Sequence, residues 1–161
     1  MVLAKLMPFP EHLLWDVGAG CGSVAIEWMR THPNCTAIAV ERSAERIEML
    51  RENADSLGTP MLQTVQGEAP GALSDLHQPD AVFLGGGISM ETLERCWESL
   101  SINGRLVSNA VTLESERVLL EWKSGHGGEL SRISISRAEN IGQYQGWKPL
   151  MPVTQYSAVK R

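Results

Sequence analysis

The stretch from Leu13 to Thr31 constrains the fold more than any other part of the chain. Leu13–Asp16 is a short apolar run closing on an acid, and Gly18, Gly20 and Gly22 follow it at alternate positions. A short apolar run bounded by turn residues reads as a buried strand, and the glycine cluster reads as a tight turn. Ser23–Thr31 then sets Val24 against Trp28 and Ala25 against Met29 at the i,i+4 spacing of a helix, which His32-Pro33-Asn34 breaks. Strand, glycine turn and helix in this order make one βα unit.

The unit repeats. Thr36–Val40 is a second strand, closing on Glu41, and Ser43 is an N-cap for a helix that sets Ile47, Leu50, Ala54 and Leu57 on one face before Gly58 stops it. Leu62–Gln66 and Asp80–Leu84 read as third and fourth strands, the first running into Gly67-Glu68 and the second into Gly85-Gly86-Gly87. Met90, Leu93, Trp97 and Leu100 outline an amphipathic helix that Asn103-Gly104 ends. Arg105–Ala110 is a fifth strand, Leu113–Ser124 a further helix, and Leu130–Ser136 and Val153–Val159 the last two strands. Arg137–Pro152, between those two, is too interrupted by glycine and proline for a helix and reads as a long loop. Such loops in compact domains are functional or disordered, and Tyr144 and Trp147 argue against disorder. Alternation of this kind predicts an α/β fold.

At 161 residues the chain has the length of one domain, 1–161, with no linker or repeat. Its 43% hydrophobic and 20% charged residues are those of a globular protein, not a disordered one. No apolar run exceeds four residues, where a membrane span needs about twenty. The net charge of −5 disfavours nucleic acid as a partner but leaves room for an anionic small molecule held by a few arginines. Three cysteines without CxxC spacing and four scattered histidines predict no metal and a reduced, cytoplasmic setting, and no export signal is visible at Met1–Pro10.

The glycine loop predicts a ligand, because glycine lets one approach the backbone with no Cβ in the way. A dinucleotide fingerprint, G-x-G-x-x-G, would put its third glycine at position 23, where Ser23 stands; Gly22 gives G-x-G-x-G instead. Asp16 would also repel a pyrophosphate, so an NAD-dependent oxidoreductase is disfavoured and a cationic ligand preferred. S-adenosylmethionine carries both an ammonium and a sulfonium. Glu41, twenty-three positions after Gly18, stands where an acid accepts both ribose hydroxyls, and Gly67-Glu68-Ala69 is placed to receive an adenine. A solvated carboxylate paired with Arg42 is the plainer reading of Glu41.

Together these residues resemble the class I S-adenosylmethionine-dependent methyltransferases, from Leu14 to Lys160. Residues 13–28, 39–58, 65–73, 80–87 and 104–116 are similar to the family of cobalamin biosynthesis that methylates precorrin-6B at carbon-15 and decarboxylates its ring-C acetate, giving precorrin-7. The resemblance implies a Rossmann-like seven-stranded sheet of order 3-2-1-4-5-7-6, with the last strand antiparallel, and a homotetramer. It implies S-adenosylmethionine at Asp16, Gly18, Ala19, Gly20, Gly22, Ser23, Glu41, Arg42, Gly67, Glu68 and Ala69, with no metal. In some members this domain is the C-terminal half of a bifunctional precorrin-6Y methyltransferase whose other half methylates carbon-5, and residues 1–161 fit such an excised domain. The family also carries an N-terminal segment that helps close the active site, whereas here the first strand begins about a dozen residues in.

An anionic tetrapyrrole needs cationic or hydrogen-bonding anchors near the strand ends. Gly85, Gly86, Gly87, Asn109, Thr112 and Arg137 are the expected substrate contacts, with Lys148 a further cation, although Thr112 and Asn109 also suit a cap or turn and Arg137 a surface position. Tyr144 and Arg137 are the expected catalytic residues, Tyr144 by stacking on the macrocycle or donating a proton. Two alternatives stand beside this reading: a class I methyltransferase for another small molecule or RNA, and a non-catalytic S-adenosylmethionine-binding module.

Overall fold

A computed structural model describes residues 1–161. Its strands are β1 (Leu13–Val17), β2 (Thr36–Glu41), β3 (Gln63–Gln66), β4 (Ala81–Leu84), β5 (Arg105–Ala110), β6 (Glu129–Ile133), β7 (Ser136–Ile141), β8 (Tyr144–Pro149) and β9 (Val153–Val159). The helices are α1 (Val2–Leu6), α2 (Ser23–Thr31), α3 (Ala44–Ser56), α4 (Met90–Ser99) and α5 (Leu113–His126). Seven strands form one sheet in the order β3-β2-β1-β4-β5-β9-β6. The pairs from β3 to β5 are parallel, and β9 runs antiparallel between β5 and β6. With β9 counted as the seventh strand of this sheet, this is the expected order.

The inner strands β1, β2 and β4 are largely apolar on both faces because helices cover both, whereas the edge strand β3 is polar. One core packs Trp15, Val17, Val82, Leu84 and Leu106 under α4 and α5, through Leu93, Cys96, Leu119 and Trp122. The other packs Leu14, Ala39, Phe83 and Val107 under α1, α2 and α3, through Leu6, Ala25, Ile26, Trp28, Leu50 and Ala54. Ser43 caps α3, its Oγ accepting from the Arg46 amide at 3.4 Å, and Ser89 and Thr112 cap α4 and α5 in the same way. No helix is long and apolar enough to cross a membrane.

The structure differs from the sequence expectation at four places. Arg137–Pro152 is mostly a hairpin, β7 paired with β8 in a separate two-stranded sheet. Neither of its strands alternates apolar with polar residues, so periodicity does not mark them. The sixth strand starts at Glu129 and ends at Ile133, earlier than expected, because it follows the pairing of β9. Leu57 lies past the end of α3 and is exposed, while Ile47, Leu50 and Ala54 are buried. Finally α1, too short to show a helical repeat and without a side-chain cap, forms in the segment before the first strand and buries Leu6 against the sheet.

Candidate active site

The carboxyl ends of β1 to β4 enclose a cavity of about 330 Å³. Val17 and Gly18 line it from β1, Val40, Glu41 and Arg42 from β2, Gly67, Glu68 and Ala69 from the turn after β3, and Gly85, Gly86 and Gly87 from the turn after β4. Open α/β sheets bind ligands at this end. A larger cavity of about 640 Å³ lies at the opposite end of the sheet, among Lys5, Arg105 and His126, and none of the expected site residues reaches it.

Two glycines of the loop are required by what approaches them. Gly18 has φ +70°, and a Cβ there would lie 2.7 Å from the Gly86 nitrogen, so the turns after β1 and β4 touch only because neither carries a side chain. Gly22 has φ +83° and faces Leu50 of α3, whose Cγ would be 2.7 Å from a Cβ. The third glycine of the G-x-G-x-G pattern thus serves helix packing, whereas the first serves the cavity.

Glu41 is buried, and both of its carboxylate oxygens are engaged. One accepts from the Gly20 amide at 3.0 Å and the other from the Ser43 amide at 3.0 Å, with the Arg46 guanidinium 4.0 Å away. The acid therefore ties the glycine loop to the start of α3, and the solvated pair with Arg42 does not form. Arg42 instead faces Glu68 at 3.5 Å across the cavity. A carboxylate offers about four acceptor positions, so Glu41 keeps capacity for a ribose diol.

Asp16 lies beneath the loop, buried, and does not line the cavity. Its Oδ2 accepts from the Ala25 amide at 2.9 Å, in the first turn of α2, and its Oδ1 has no partner. Burial pushes its carboxyl up to about 7; the Ala25 bond opposes that rise, and the Glu41 charge adds to it. A buried acceptor left open below a glycine loop fits the cationic end of S-adenosylmethionine, as the side-chain-free cavity wall fits its close approach.

The remaining expected residues lie at different distances from this cavity. Ala19, Gly20 and Gly22 belong to the loop, and Ser23 is the exposed first residue of α2. Asn109 is half-buried near the end of β5, and Thr112 caps α5, its Oγ1 accepting from the Ser115 amide at 3.2 Å. Arg137 and Tyr144 sit on the hairpin, exposed, and neither reaches the cavity. Lys148 is there too, paired with Glu139 at 2.9 Å. Conversely, Arg46 lines the cavity without having been expected. Its position three residues past the N-cap Ser43 is the signal that places it in the first helical turn, beside the end of β2. No cluster of three His, Cys, Asp or Glu side chains is arranged to hold a metal.

A glycine loop tied to a buried strand-end acid, at the carboxyl end of a seven-stranded sheet with one antiparallel strand, is a Rossmann-like ligand-binding arrangement. A family model described as the precorrin methyltransferase domain matches residues 1–160. The chain belongs to the precorrin methyltransferase domain family. It is 49% identical over 161 residues to a precorrin-6Y C(5,15)-methyltransferase [decarboxylating] of Sinorhizobium sp, covering 99% of this chain but 39% of that protein. It is 30% identical to a cobalt-precorrin-6B C(15)-methyltransferase (decarboxylating) of Salmonella typhimurium, covering 95% of this chain and 81% of that one. Among solved structures, the C-terminal domain of precorrin-6Y C5,15-methyltransferase from Rhodobacter capsulatus superposes with a TM-score of 0.90 at 46% identity, over 98% of this chain and 85% of that one.

Proposed function

We propose that this chain methylates carbon-15 of precorrin-6B and decarboxylates the ring-C acetate, giving precorrin-7 in cobalamin biosynthesis. The observation that carries the reading is the cavity built from Gly18, Glu41 and Gly85–Gly87 in a chain matched by the precorrin methyltransferase family along 1–160. The Salmonella relative supports the carbon-15 half of the reaction, since this chain covers most of its length. The Sinorhizobium relative, covered to 39%, and the Rhodobacter C-terminal domain support a longer protein, of which residues 1–161 form the C-terminal methyltransferase module and an N-terminal module methylates carbon-5. Three free cysteines are in keeping with cytoplasmic work.

S-adenosylmethionine supplies an electrophilic methyl group on a sulfonium. Glu41 holds its ribose hydroxyls, Gly67, Glu68 and Ala69 flank its adenine, and the Gly18–Gly22 loop with Asp16 holds its amino-acid end. Transfer from such a leaving group needs position more than acid–base help. The enamine-like carbon-15 attacks, a carbon–carbon bond forms as the carbon–sulfur bond breaks, and the conjugated ring gains positive charge. Loss of carbon dioxide from the acetate sends its bonding electrons into that charge, and a proton then completes the ring-C methyl. No metal is needed for either step. Asn109 and Thr112, with Gly85–Gly87, contact the anionic macrocycle at the ends of β4 and β5.

Arg137 and Tyr144 can serve this site only from another subunit, because their own hairpin stands away from the cavity. A second copy of the chain is the partner we assign to that hairpin, within a homotetramer. Ile141, Tyr144 and Trp147 are all more than 60% exposed on it, and a lone two-stranded hairpin is marginal in water. The test is mass spectrometry of precorrin-6B incubated with the chain, with and without S-adenosylmethionine. One methyl gained and one carbon dioxide lost is the expected result. Methyl gain alone removes the decarboxylase half, and an unchanged mass despite S-adenosylmethionine binding overturns the substrate.

A further inference from the structure

On β9, Gln155 lies opposite Asn109 of β5 and opposite Ser131 of β6. It is 2% exposed, and the only side-chain hydrogen bond it makes is from its Nε2 to the Asn109 Oδ1, at 2.9 Å. Its own Oε1 has no partner. A buried amide oxygen without a donor is destabilising, and a methionine or leucine of similar volume would avoid that penalty. Core packing therefore does not account for a glutamine here.

The single bond does have a consequence. With the Gln155 Nε2 donating into it, the Asn109 Oδ1 is turned toward β9, and reversing the Asn109 amide alone would set its NH2 against that of Gln155. The Asn109 Nδ2 then keeps both N–H groups free, and no acceptor in the chain takes them. Pairing of β4 with β5 ends at Leu84 and Ser108, so Asn109 stands level with Gly85, a wall residue of the cavity. A half-buried amide presenting two donors beside that wall suits an anionic oxygen, whereas the opposite turn would present a carbonyl and repel it.

We infer that Gln155 is a positioning residue: it fixes the Asn109 carboxamide so that its N–H groups meet a carboxylate oxygen of the substrate. This rests on the reading of the substrate as a polycarboxylate tetrapyrrole. Gln155 touches no reacting atom in this account and acts only through Asn109.

The test compares Gln155→Met, Gln155→Glu, Asn109→Ala and the double variant Asn109→Ala/Gln155→Met, by kcat and KM for precorrin-6B and by S-adenosylmethionine affinity in calorimetry. Gln155→Met should raise KM about tenfold, the loss of one hydrogen bond to a charged group, with S-adenosylmethionine affinity unchanged and Tm not lowered. Gln155→Glu, which can only accept, should turn the Asn109 donors inward and raise KM further. The double variant should be no worse than Asn109→Ala alone, since one effect passes through the other. Additive losses, or an unchanged KM in Gln155→Met, overturn the inference. If the wild-type chain leaves precorrin-6B unchanged, the substrate reading fails by itself. That Gln155 orients Asn109 is then decided by the Asn109 side-chain amide resonances in 15N spectra, which should shift and broaden in Gln155→Met and which sink it if they stay put.

Discussion

The carboxyl end of β1–β4 and the β7–β8 hairpin are opposite kinds of structure. At the first, conformation is set from within the chain: Glu41 accepts from the amides of Gly20 and Ser43, Asp16 accepts from the Ala25 amide through one oxygen and leaves the other open, and Gly18 meets the bare backbone of Gly86. On the hairpin every residue but Gly146 is exposed, and the pairing of the two strands is supplemented only by the Lys148–Glu139 ion pair. The difference separates residues whose conformation is set by neighbours from residues that need an outside partner. Substitutions in the first region should change both folding and ligand binding, and those in the second should change neither in an isolated chain.

The largest effect is expected at Gly18. A valine there must adopt φ +70° and place its Cβ against the Gly86 backbone, which no side-chain rotation relieves. Left-handed strain and overpacking together destabilise by about 3 kcal/mol or more, a fall in Tm of roughly 6–12 °C. Calorimetry should show S-adenosylmethionine affinity down more than about 100-fold, since 2.7 kcal/mol or so of lost contact suffices. Affinity within threefold of wild type would place the ligand elsewhere.

Glu41 comes next. Glu41→Ala strands the amides of Gly20 and Ser43 without an acceptor, a destabilisation of about 2–4 kcal/mol read by denaturant unfolding. Glu41→Gln keeps one acceptor and should fall between. Ligand affinity should drop in the same order, and an alanine variant that binds normally would separate the acid from the ligand.

How much of this was legible in the sequence follows the same division. The strands of the main sheet, the glycine loop and Glu41 were readable because their burial leaves apolar runs, turn residues and a strand-end acid in the sequence, whereas the strand order followed from the family resemblance alone. The hairpin was not, since Ala138 opposes Trp147, Glu139 opposes Gly146 and Arg137 opposes Lys148, so that neither face is consistently apolar. Its one local sign is Gly142-Gln143 between Ile141 and Tyr144, a two-residue turn with Gly142 at φ +61°. Asp16 was legible as an acid at the head of the glycine loop but not in its position. A carboxylate before a glycine loop looks like a wall residue, and only the fold shows that it lies beneath, holding α2. Gln155 left no trace, because a single glutamine in an alternating strand carries no pattern.

The buried carboxyl of Asp16 predicts a pH dependence. Its ordinary value is 3.8 and burial raises it to about 7 in the folded chain. Between those values the folded state holds a proton that the unfolded state has released, so stability falls as pH rises through the window and is level above about 7. Asp16→Asn keeps an acceptor for the Ala25 amide and removes the charge. At pH 8 it should stabilise the unligated chain by on the order of 1–3 kcal/mol and flatten its Tm between pH 5 and pH 7, roughly the same window. Ligand binding should move the other way. A cationic group over an ionised Asp16 favours loss of the proton, so wild-type affinity should rise with pH up to about 7, while the Asn variant binds more weakly and without that slope. Equal slopes in the two proteins would remove Asp16 from the ligand's surroundings.

The smallest effect on stability is expected on the hairpin, which makes it the sharpest test of the contrast. Tyr144 and Trp147 are 80% and 77% exposed, so replacing both by serine removes apolar surface that the isolated chain never buries. Exposed substitutions shift stability by about 0.5 kcal/mol or less, and Tm in dilute solution should stay within about 2 °C of wild type. Association should respond instead. If a second copy covers the hairpin, light scattering at rising concentration should show the wild-type chain assembling and the double serine variant remaining a monomer. In the assembly we propose, turnover should fall with it, because Arg137 and Tyr144 would then reach a cavity across subunits. A variant that stays assembled and active would mean that the hairpin has no partner in this protein. A drop of several degrees in the dilute monomer would mean that the hairpin packs on its own sheet after all.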